Sequence, residues 1–209
     1  MMTAPFPSPA GPGILPFFDG CGPFYRWLPP TEKVNIEAMR TGSSTAFLAP
    51  EVEDLVKSTV LRIRAAGGSV VGLIGFSQGT KVVAGLLRAS EIRKQVGKEE
   101  EGWCDFGFGL SVCASYPPGL VPSSIAAMVA DPWGEKIRLP AFHVQGRQDE
   151  WMWAGQGMIE RHYEEGEGRT EVVVWDMGHH YPVEVEQSER MAEWMVAAAK
   201  RVEGGKDIR

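Results

Sequence analysis

Ser77, Asp149 and His179 are the residues of this chain whose types and spacing best suit chemistry. A serine hydroxyl is a poor nucleophile until an imidazole takes its proton. The imidazole in turn needs a carboxylate to fix its tautomer and stabilise its charge. Ser77 stands in Gly75-Phe76-Ser77-Gln78-Gly79, Asp149 in Gly146-Arg147-Gln148-Asp149, and His179 in Gly178-His179-His180-Tyr181-Pro182. Such a set suits acyl transfer, with the backbone N–H of Gln78 placed to meet the developing oxyanion. Each member also has a plainer reading. The Gly-x-Ser-x-Gly pattern occurs in glycine-rich turns with an inert serine, and Asp149 could simply cap a helix beginning near Trp151. Asp176, three residues before His179, is a reserve acid. His180 either lines a pocket or is solvated. His143, inside an apolar run, reads as a hydrogen-bonded core residue, and His162 as a residue on a helix surface.

Three strand ends must deliver these side chains. The apolar run 70–74 leads straight into Ser77, and a helical period follows from Lys81 to about Lys94. A second buried strand spans 106–114, a third 140–146 ending at the Asp149 turn, and a fourth 171–175 ending at the His179 loop. Helical patterns cover 50–64, 152–163 and, from a start signal at Ser188, 188–202. Strands alternating with helices imply an α/β fold, a mainly parallel sheet flanked by helices, with chemistry at the carboxyl ends of the strands. Phe76, Trp151, Trp153 and His180 fall near those ends and are expected to line an apolar substrate site. Trp175 and Trp194 read as core.

Composition narrows the function class. With 209 residues the chain is expected to form one domain over 1–209, and its net charge of −6 argues against nucleic acid or an anionic membrane as partner. No apolar run reaches the roughly eighteen residues of a membrane span, and no secretory signal opens the chain, so a cytoplasmic location is expected. Cys21, Cys104 and Cys113 show no C-x-x-C spacing, and His179-His180 are adjacent rather than one helical turn apart. No metal or organic cofactor is therefore expected. Eight of the fifteen prolines fall in residues 1–30, which excludes a helix there. Phe17, Phe18, Phe24, Tyr25, Trp27 and Leu28 are too apolar to stay solvated, so this segment is expected to be an extended arm packed on the body, walling the pocket. The charge run 98–102 reads as a solvated loop.

Gly-Phe-Ser-Gln-Gly, a strand ending in Gly-x-x-Asp, and Gly-His-x-x-Pro near the C-terminus together resemble the fungal serine hydrolases of the α/β-hydrolase superfamily. That group includes esterases and polyketide-releasing thioesterases of secondary metabolism. Residues 4–9 and 22–27 resemble the family's loop after an early strand. The resemblance implies Ser77 as nucleophile, Asp149 as acid and His179 as base, acting on a small-molecule acyl ester or thioester, including a carrier-protein-bound polyketide. Relative to that family the chain reads as N-terminally shortened, starting at the proline-rich loop, without the early strand and the loop that lends a second oxyanion N–H. The strand that leads into the sharp turn, or elbow, at Ser77 is then expected at an open sheet edge. A homodimer could cover it. A non-hydrolytic binding or cyclising protein, or an inactive short form, are the competing expectations.

Overall fold

The computed structural model of the chain describes residues 1–11, 15, 18–32, 34–98 and 102–206, so most of the loop expected at 98–102 lies outside them, as does Phe17 of the arm. In the proline-rich arm, β1 (Phe6–Ser8) and β2 (Phe24–Arg26) form an antiparallel ribbon with Pro7 opposite Tyr25. Only a two-stranded ribbon accommodates that proline easily, because it has no N–H to donate to a further strand. Next comes α1 (Ile36–Thr41), whose Ala38 N–H is capped by the Asn35 side chain and whose end turns on Gly42 at φ 65°. β3 (Phe47–Leu48) precedes α2 (Pro50–Ala65), which has Pro50 in its first turn, Glu51 and Glu53 beside it, and Arg62 and Arg64 in its last turn.

The Ser77, Asp149 and His179 motifs all lie C-terminal to α2. β4 (Gly72–Phe76) runs into α3 (Gly79–Gln95), then β5 (Phe108–Val112), β6 (Val121–Pro122), α4 (Ser123–Ala126) and β7 (Ala141–Gly146). The chain closes with α5 (Met152–His162), β8 (Thr170–Trp175) and α6 (Val185–Lys206). The central sheet has the order β4-β5-β7-β8, all parallel, while β3 pairs with β6 apart from it. The architecture is α/β, as its alternating pattern implies. The elbow strand lies two residues later than its apolar run suggests, and α6 begins at Val185 rather than Ser188.

α3 crosses one sheet face and α6 the other. On the α3 side Val83 and Leu87 press on Gly109, where a Cβ would stand 2.6 Å from the Leu87 side chain. Gly85 lies against the Leu120 carbonyl, so close that a Cβ would come within 1.7 Å of its oxygen. Val52, Val56 and Val60 of α2 join this larger core. On the α6 side Leu110, Phe142, Val144 and Val173 pack with Met191, and Trp175 and Trp194 lie half-buried against them. The Trp194 ring stands 5.3 Å from Phe142 and 5.8 Å from Phe108. β4 is the edge of this sheet, with Ile74 51% exposed. Among the described residues no helix is long and apolar enough to cross a membrane.

Candidate active site

Strand β4 ends in a turn that needs a glycine at position 75. A Cβ on Gly75 would lie 2.8 Å from the Gly79 carbonyl oxygen and from Val83, so a larger residue would push helix from strand. Between them Ser77 takes the left-handed conformation, φ 49°, which lifts its side chain off the sheet. Its N–H donates to Val112 O at 3.0 Å, and its carbonyl accepts from both the N–H and the hydroxyl of Thr80. The next N–H, on Gln78, donates to no acceptor among the described residues. It stands at the N-terminus of α3, where the helix dipole favours negative charge.

Three strand ends meet at the serine. His179 Nε2 lies 2.9 Å from Ser77 Oγ, and His179 Nδ1 lies 2.8 Å from Asp149 Oδ2. The other Asp149 oxygen, Oδ1, accepts the Trp151 N–H at 2.8 Å just before α5. Burial works to raise the Asp149 pKa, but the hydrogen bonds from His179 and Trp151 outweigh it and hold the carboxyl below its ordinary value. Asp176 is exposed and accepts from Gln148 Nε2 at 2.9 Å, away from the imidazole. The Phe76 ring packs 5.2 Å from that of His179 and 5.4 Å from Tyr181.

These groups open into a cavity of about 650 Å³, lined by Phe76, Trp151, His180 and Tyr181 from the sheet side and by Tyr25 and Trp27 of the arm. Residues 8–11 also line it, so the arm does wall the pocket. Gln78 fastens it there: its Oε1 accepts the Trp27 N–H at 2.6 Å and the Leu28 N–H at 3.3 Å. His180 is exposed at the rim, its Nδ1 paired with the Tyr181 carbonyl at 2.8 Å. Trp153 does not line the cavity. It packs 6.3 Å from Trp151 and under the Arg40 guanidinium at 5.5 Å, because the first turn of α5 carries it to another side of the helix.

The other histidines depart from their sequence readings. His143 is fully buried, but both ring nitrogens lack a hydrogen-bond partner among the described residues. His162 is buried, not on a surface: its Nε2 accepts the Gly119 N–H at 3.2 Å and its ring lies 3.8 Å from Trp133. Burial pushes both imidazoles down to about 3, so each is neutral. Sequence reasoning also passed over Lys81. It is fully buried behind the elbow, with Nζ 3.0 Å from the Tyr116 carbonyl and 4.0 Å from that ring, and burial lowers its pKa to about 7. Its place in the first turn of α3, next to Thr80, was the available signal. Cys113 Sγ, an Asp149 oxygen and a His179 nitrogen lie within 4.8 Å of one another, a donor set that a metal ion could use. Both ring nitrogens of His179 are already engaged, however, and burial pushes the Cys113 thiol up to about 12.

The family described as Serine hydrolase (FSH1) matches residues 23–191. Esterase FUS5 of Gibberella moniliformis is 26% identical over 208 residues, covering 97% of this chain and 76% of that protein. The dihydromonacolin L-[lovastatin nonaketide synthase] thioesterase of Aspergillus terreus is 29% identical over 196 residues, covering 87% of this chain and 72% of that protein. Among solved structures, esterase B from Lactobacillus rhamnosis superposes with a TM-score of 0.49 at 16% identity, over 79% of this chain and 68% of that one.

Proposed function

The chain belongs to the serine hydrolase (FSH1) family, and we propose that it cleaves esters or thioesters of an apolar acyl group through an acyl-enzyme on Ser77. The observation that carries this reading is the unbroken contact from Ser77 Oγ through His179 to Asp149, at 2.9 and 2.8 Å, at the mouth of an aromatic cavity. Ser77 Oγ attacks the acyl carbonyl as His179 Nε2 takes its proton, and the Gln78 N–H receives the oxyanion. Collapse expels the alcohol or thiol, which takes the proton back from His179. Water then adds to the acyl-enzyme with His179 again as base, releasing the acid and restoring the serine. Asp149 holds the ring so that Nε2 faces the serine unprotonated.

The substrate class follows from the walls. Tyr25, Trp27, Phe76 and Trp151 offer apolar area and few fixed polar groups, which suits a sizeable hydrocarbon or aromatic acyl group. The likeness to the Aspergillus terreus thioesterase supports a polyketide thioester, including one delivered on a carrier protein. The test is a series of p-nitrophenyl esters and N-acetylcysteamine thioesters from acetyl to dodecanoyl. kcat/KM should rise with acyl length. No dependence on length would remove the apolar-acyl assignment. Binding of the esters without turnover would favour a non-hydrolytic binding protein.

A further inference from the structure

Two non-glycine residues among those described have positive φ, Ser77 at 49° and Cys113 at 47°. They are neighbours, because the register pairs Phe76 with Val112 and both strands end together. The elbow accounts for Ser77, whereas Cys113 takes no part in the hydrolytic scheme, although its thiol also hydrogen-bonds the Asp149 carboxyl. Glycine would adopt this backbone without steric cost, so a side chain held there suggests a task. The Cys113 N–H closes the strand by donating to Val144 O at 2.8 Å. Its Sγ lies 3.7 Å from the carbonyl oxygen of Gly178 and 3.7 Å from that of His180, the two residues that flank His179. The thiol is buried, and burial together with the Asp149 charge raises its pKa to about 12, so it stays a donor at neutral pH.

We propose that Cys113 is a positioning residue for His179: its S–H, shared between the carbonyls on either side of the histidine, ties that loop to the end of β5. The tie keeps Nε2 within hydrogen-bond distance of Ser77. On its other side the loop is held by the Gln148 N–H, which donates to Met177 O at 3.0 Å, so the thiol supplies the second anchor. This inference rests on the hydrolase reading for its effect on rate, while the anchoring itself can be measured without turnover.

The experiment compares Cys113→Gly, Cys113→Ala and Cys113→Ser with the native protein in kcat, KM, melting temperature and amide hydrogen exchange of residues 177–181. An S–H bond is weak, so Gly and Ala should lower kcat by about tenfold or less with KM held within about twofold, and should speed exchange of the loop by a similar factor. Serine, which keeps a donor, should recover part of both. The glycine variant should melt no lower than the alanine variant, since it relieves the left-handed backbone while both empty the same buried site. Native kcat and native exchange in both Gly and Ala would overturn the proposal. So would a parallel loss of melting temperature, KM and kcat that serine does not repair, which would make the role merely structural. If the native protein turns over no ester, the hydrolase reading fails, and loop exchange alone decides whether the anchor exists.

Discussion

Asp149 accepts from the ring of His179 through Oδ2 and from the Trp151 N–H through Oδ1, with the Cys113 thiol as a further donor. Its replacement by asparagine is therefore informative. The amide oxygen can keep the Trp151 contact, but the amide nitrogen would face His179 Nδ1 with a donor and force the proton onto Nε2, where it blocks acceptance from Ser77. Asp149→Asn should lower kcat by about 10⁴ while the melting temperature stays close to native, measured side by side. Retained turnover would show that the carboxylate only caps α5. Ser77, Asp149 and His179 were legible because each follows an apolar run and a glycine, and the fold brings such strand ends together. Trp153 was not, because its direction depends on the residue at which α5 starts. Cys113 was not, because a positive φ leaves no mark in residue type when the residue is not glycine. His162 was misread because it docks on Trp133, which lies in the stretch 119–138 where no periodicity announces a contact.

At the scale of elements, the arm matters most. β1 and β2 pair with each other rather than with the main sheet, and Gln78, directly after the serine, grips the chain at Trp27 and Leu28. The wall of the cavity is thus fastened to the same turn that carries Ser77. Trp27→Ala should cut kcat/KM for a long acyl ester by about tenfold relative to the acetyl ester, since an indole wall contributes roughly 1–3 kcal/mol to a chain that reaches it and little to one that does not. An equal loss for both esters would mean that Trp27 supports the elbow rather than the acyl chain. The four sheet strands and the helices α2, α3, α5 and α6 could be read from periodicity, although α6 starts earlier than its serine signal. Short elements such as β3 and β6 could not, because they are held by long-range pairing such as Phe47 with Val121 rather than by a local pattern.

For the molecule as a whole, the two buried neutral histidines set a limit on acid stability. His143 and His162 are held down to about 3 in the folded state, whereas free imidazoles take a proton near 6.5. Between those values the unfolded chain binds more protons than the folded one, so stability present above about 6.5 is lost as pH falls toward 3. Each histidine contributes at most about 1.4 kcal/mol per pH unit. The melting temperature should drop from pH 6.5 to 4.5, and His143→Leu should make that drop shallower while also removing two unpaired buried nitrogens. A variant slope equal to the native one would mean that His143 is not titrated on unfolding in this range. The open edge of β4 follows from a strand order that can be anticipated only by analogy, because periodicity tells which segments are strands and not which strand lies beside which.

The whole reaction scheme depends on Ser77 being an activated nucleophile, and one measurement addresses that most directly. The purified protein is treated with a fluorophosphonate and weighed intact by mass spectrometry, beside Ser77→Ala. One phosphonyl adduct per native chain and none on the variant is the predicted result, because His179 at 2.9 Å and Asp149 behind it make this hydroxyl reactive. A folded native protein that takes no label, or a variant that labels equally, would contradict it.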